Sequence, residues 1–168
     1  MPSIAQTSPS RLALLLLALA FATIAGAWAF EAAGYLPCEL CLKQRWAYYV
    51  GVPLAALVAV AAPRWRMPAG MGFALLAVLF LGSAIFGAYH AGVEWSFWQG
   101  PTDCTGSLQK AGSMADFMNQ LSTVKVVRCD AVAIRILGLS LAGWNAVVSL
   151  MLCALGVAGG WASFTPRV

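Results

Sequence analysis

Cys38-Glu39-Leu40-Cys41 sets two thiols three positions apart, and Arg45 follows four residues after the second. Such a pair closes a small ring on oxidation, and both thiol–disulfide exchange and soft-metal binding use this spacing. Pro37 directly precedes the pair and suits a chain turning into a helix. Cys41 then falls in the first helical turn, where unpaired N–H groups and the helix dipole favour an anion, and Arg45 shares its face at i+4. The expected thiolate is therefore Cys41, with Arg45 as its electrostatic support. Haem attachment is excluded because Leu42, not histidine, follows the second cysteine. Zinc needs two further ligands; Cys104 and Cys129 offer sulfurs but are remote in sequence, and the nearby arginine opposes a compact cation site, so no metal is expected. A purely structural bridge is a weak reason for the pair, since so small a loop constrains the unfolded chain little.

Cys104 and Cys129 form a second candidate pair. Closing the long segment between them would contribute roughly 3–4 kcal/mol by chain entropy, so a structural disulfide stands beside a redox one here. Pro101 and Gly106 flank Cys104 with turn-forming residues, which suits the in-line access that attack by an external thiol requires. Inside the segment, Leu108, Ala111, Ala115, Met118 and Leu121 recur at spacings of three and four, a pattern expected of a short helix lying in a membrane interface. Cys153 sits alone in an apolar run and reads as a small buried hydrophobe. His90 is the one histidine. Glu94 and Arg135 read as solvated charges near span ends, and Gly51, Gly82, Gly87, Gly138 and Gly143 as helix-packing positions.

The elements that must position these residues follow from composition. Of 168 residues, 61% are hydrophobic and 10% charged, with mean hydropathy +0.80. That is an integral membrane protein. Four long apolar runs predict an all-α, four-transmembrane-helix bundle, with spans over about 12–30, 46–63, 69–90 and 137–160 of one membrane domain, 1–168. The first run is read as an uncleaved span, because it outlasts a signal-peptide core. Residues 31–45 and 91–136 then form two loops on one side, which hold all four cysteines outside the spans. Arg64 and Arg66 in the very short opposite link favour cytoplasmic termini and periplasmic cysteine loops. Two cysteine pairs on that face suit an oxidising compartment. The seven tryptophans fall mostly near span ends, as interfacial anchors do. A formal net charge of +4 comes without any basic block or aromatic platform, so nucleic acid is not an expected partner.

Taken together, Pro37-Cys-Glu-Leu-Cys-Leu-Lys-Gln-Arg45, Tyr89-His90, the Cys104 and Cys129 loop, and Leu137-Gly-Leu-Ser-Leu-Ala-Gly-Trp144 resemble the disulfide bond formation protein B (DsbB) family, from Leu12 to about Gly160. The resemblance implies an enzyme of the bacterial inner membrane that re-oxidises a periplasmic, thioredoxin-like DsbA-type protein. Electrons would enter at Cys104 and Cys129, pass to Cys38 and Cys41, and leave to membrane quinone, either ubiquinone or menaquinone. It further implies that Cys104 is attacked by the partner, that Cys41 faces the quinone, and that Arg45 and His90 belong to the quinone site. Two other readings stand beside it: a membrane adaptor whose outer disulfides stiffen its loops, and a quinone reductase like vitamin K epoxide reductase. The early C-x-x-C-x-x-x-Arg order argues against the latter.

Overall fold

A computed structural model describes residues 8–101, 112–115, 118–119 and 128–165. Four long helices, α1 (Pro9–Ala32), α2 (Glu39–Ala61), α3 (Arg66–Glu94) and α4 (Leu141–Phe164), are joined before α4 by a tiny hairpin, β1 (Arg135–Ile136) and β2 (Leu139–Ser140). Helices α1, α3 and α4 are long and apolar enough to cross a membrane, as a multi-pass membrane protein requires. Helix α2 has comparable length, but its first two turns carry Glu39, Lys43, Gln44 and Arg45, which dilute its apolar content. Of the short interfacial helix expected in the long loop, Met114, Ala115, Met118 and Asn119 are helical and exposed, while Leu108, Ala111 and Leu121 lie outside the described residues.

The fourth helix starts at Leu141 rather than at 137. Leu137 (φ 51°) and Gly138 (φ 85°) turn the chain between paired strands, with Arg135 opposite Ser140 and Ile136 opposite Leu139. Two successive residues at positive φ suit the tight turn of a two-residue hairpin and cannot continue a right-handed helix. Ser140 then caps α4, its Oγ accepting the Gly143 N–H at 3.1 Å.

Packing is closest between α3 and α4, where small residues let backbones approach. A side chain at Gly156 would come 3.0 Å from Ala77, and one at Gly87 would come 2.9 Å from the Ala146 backbone nitrogen. Leu16, Phe73, Leu76, Phe80 and Leu152 fill the centre, and Cys153 packs against its margin, partly rather than fully buried. Arg66 closes the opposite end by donating to the carbonyls of Ala162, Ser163 and Thr165 at the end of α4, which satisfies acceptors left unpaired there and sets a cation at the dipole's negative end.

Candidate active site

The two cysteines of the C-x-x-C lie at the start of α2, with Cys38 as N-cap. Its Sγ accepts the Cys41 amide N–H at 3.2 Å and lies 2.8 Å from the Cys41 sulfur. Both are free thiols. From α3, Nε2 of His90 lies 3.6 Å from the Cys38 sulfur, while its Nδ1 lies 2.8 Å from Nε2 of Gln44. With the Gln44 amide donating to Nδ1, the imidazole proton sits on Nε2 and points at Cys38. His90 is only 1% exposed, so it is a buried part of this centre rather than an interfacial anchor.

These contacts put the anion on Cys38. The hydrogen bond from the Cys41 thiol is the main cause, and with His90 and the Cys41 amide it outweighs desolvation and holds Cys38 down to about 5. Donating to Cys38, together with burial, pushes Cys41 up. Where the sequence pointed to Cys41, capping geometry gives the amide and imidazole donors of the reduced pair to Cys38. Arg45 does not pair with either sulfur. Its guanidinium donates to Glu31 of α1 and to the Ala27 carbonyl, and at 11% side-chain exposure it takes the nearest carboxylate for compensation.

What Arg45 shares with Cys41 is a cavity of about 370 Å³ between α1, α2, α4 and the segment leading into the hairpin. Its walls are mostly apolar, including Ile24, Phe30, Leu36, Ile136, Leu141 and Val148, with Gln44, Tyr48 and Asn145 as polar points. Tyr48 donates to Asn145 Oδ1 at 2.7 Å and lies 3.1 Å from the Ser149 hydroxyl, which continues to Ser83 at 2.9 Å. Sequence reasoning passed over Gln44, Tyr48 and Asn145. A polar side chain recurring inside an otherwise apolar helix was the available signal.

On the other side of the dithiol, Cys38, Leu40 and Cys129 form one buried cluster, with Cys41 and Phe86 against it. Cys129 is disulfide-bonded. Cys104 lies outside the described residues. Cys38, Cys41 and His90 also offer three ligand atoms within 4.8 Å of one another. A metal would need the unprotonated Nε2, which the Gln44 hydrogen bond disfavours, so the trio fits a thiol centre better than a metal site.

A membrane helix bundle that buries a hydrogen-bonded dithiol, with a disulfide-bonded cysteine packed against it, is the framework of a thiol–disulfide oxidoreductase. The chain belongs to the disulfide bond formation protein DsbB family, whose model matches residues 9–159. It is 29% identical over 140 residues to disulfide bond formation protein B of Albidiferax ferrireducens, covering 80% of this chain and 77% of that one. It is also 29% identical over 156 residues to disulfide bond formation protein B of Acidovorax sp. strain JS42, covering 89% and 86%. An uncharacterised protein of Rickettsia prowazekii is 25% identical over 122 residues, covering 70% and 67%. No solved structure matches the chain significantly.

Proposed function

We propose that the protein is a quinone-dependent thiol oxidase of the bacterial inner membrane that re-oxidises a periplasmic DsbA-type thioredoxin-fold protein. The observation that carries this reading is the two-sided setting of the dithiol. Cys38 packs toward Cys129, and Cys41 lines an apolar cavity. On this reading Cys104 and Cys129 form the disulfide that the partner's thiolate attacks, at Cys104. Cys129, released as a thiolate, then attacks Cys38 of the oxidised C-x-x-C, and Cys41 leaves as the thiolate.

That exchange reconciles the two views of the anion. Once Cys38 is bonded to Cys129 it no longer accepts the Cys41 thiol, and the charge passes to Cys41 beside the first amides of α2 and within the cavity wall. The cavity suits a quinone head group, with apolar walls for the ring and Arg45, Tyr48 and Asn145 as polar residues for its carbonyl oxygens. When bound there, a quinone would take up the electron pair and two protons. The partner's second thiolate then displaces Cys104, Cys104 attacks Cys129 and re-forms their disulfide, and the Cys38 thiolate so released closes the disulfide with Cys41 as the electron pair leaves. His90 holds Cys38 in place through Nε2 and is itself fixed by Gln44.

Four crossings with cytoplasmic termini are part of the same proposal. Helix α2 presents Val50, Leu57 and Val60 as an exposed apolar face, two of them over 60% exposed, continuous in character with the outer faces of α1, α3 and α4. The test is anaerobic oxidation of a reduced thioredoxin-fold protein by the purified chain with a soluble quinone. Partner oxidation that stops when quinone is withheld supports the reading. Quinone-independent oxidation at the same rate contradicts it.

A further inference from the structure

Beyond the cysteines, Glu94 stands one helical turn after His90 on α3, on the face that meets the dithiol. Glu94, the last residue of α3, lies past the expected span 69–90 and is half-buried rather than solvated. The Ser140 hydroxyl that also caps α4 favours its charged form. Its Oε2 is buried with no hydrogen-bond partner among the described residues. The charged and titratable groups around it are His90 on its own helix, Cys38 and Cys41 from α2, and Arg135 from β1.

We propose that Glu94 is the proton-exchange group of the Cys38–Cys41 centre, protonated while the pair is reduced and ionised once the pair is a disulfide. An unpaired, buried carboxylate oxygen is costly when charged, and more so beside a second anion. The reduced pair supplies that anion at Cys38, while the disulfide is neutral and leaves Glu94 facing Arg135 and His90. Oxidation then balances as Cys38 thiolate, Cys41 thiol and Glu94 acid giving the disulfide, the Glu94 carboxylate, two protons and two electrons. Without Glu94 the same oxidation releases one proton. Glu94 acts on the sulfurs through charge rather than contact, so it is a positioning residue for protons.

The inference rests on redox activity of the Cys38–Cys41 pair, and its test involves neither quinone nor a protein partner. The full chain is equilibrated with mixtures of reduced and oxidised dithiothreitol at several pH values around neutrality, and the peptide bearing Cys38 and Cys41 is read by alkylation and mass. Reducing dithiothreitol-type disulfides consumes two protons, so the exchange constant of the native chain should not change with pH. In Glu94→Gln, whose reduced pair holds one proton fewer, it should shift toward reduced protein about tenfold per pH unit, equivalent to about 30 mV. A tenfold slope in the native chain overturns the proposal even if the variant fails to fold. Equal behaviour of native and variant chains also overturns it. No exchange at all overturns the redox reading together with it.

Discussion

Replacing Cys41 with alanine removes the largest single influence on Cys38. In the native reduced pair Cys38 is held well below its ordinary thiol range, chiefly by the Cys41 thiol, so at pH 7 it is predominantly thiolate. In Cys41→Ala the thiol donor is gone, while the amide of residue 41 at 3.2 Å and His90 at 3.6 Å remain. Burial, which opposes the anion, is undiminished, since Cys38 is only 5% exposed. Titration should therefore move upward past neutrality, leaving roughly half or less of Cys38 ionised at pH 7. The assay is the pH dependence of alkylation, resolved by mass at the peptide carrying Cys38. The sign is definite: a depressed thiol pKa keeps reactivity high as pH falls toward 5, and the variant must lose it at a higher pH. A native Cys38 that titrates at its ordinary value, or a Cys41 that ionises first in the reduced pair, would refute the capping argument.

Arg45→Leu should lower quinone-dependent turnover about tenfold or more and leave exchange of the Cys38–Cys41 pair with dithiothreitol nearly unchanged, because the guanidinium lines the cavity and is bonded to Glu31; stopped-flow and equilibrium measurements separate the two. Gly156→Ala should cost about 1–3 kcal/mol in detergent unfolding, since its methyl would stand 3.0 Å from the Ala77 backbone, whereas Gly26→Ala meets nothing within 4 Å and should be tolerated. Arg66→Ala should cost about 1 kcal/mol in the same assay by uncapping the end of α4.

Much of the site was legible in the chain because its chemistry is local. The C-x-x-C, Pro37 before it and the start of α2 all lie within one short stretch, and the apolar runs of α1 and α3 announce themselves by length. What escaped was long-range or conformational. The pairing of Arg45 with Glu31 joins two helices, and i+4 spacing pointed to Cys41 instead. Gln44 gains meaning only when α3 brings His90 against it. The run from Arg135 to Ser140 is apolar enough to pass for helix, and only positive φ at Leu137 and Gly138 turns it into a hairpin. Glu94 resembled a surface charge because nothing nearby in sequence signals that Ser140 covers it. The capping role of Cys38 escaped for a related reason: spacing locates a helix start within a residue or two, and that margin decides which cysteine caps.

The two-sided dithiol is tested most directly by a single anaerobic turnover of Cys41→Ser with a reduced thioredoxin-fold partner and soluble quinone. Quinone reduction should be abolished in the variant, whose Cys38 stays reduced, while the oxidised native chain given the partner but no quinone accumulates a disulfide between Cys38 and Cys129 that is found by peptide mass. Quinone reduction at the native rate in the variant, or failure to find Cys38 joined to Cys129 in the native chain, would contradict the path from Cys129 through Cys38 to Cys41.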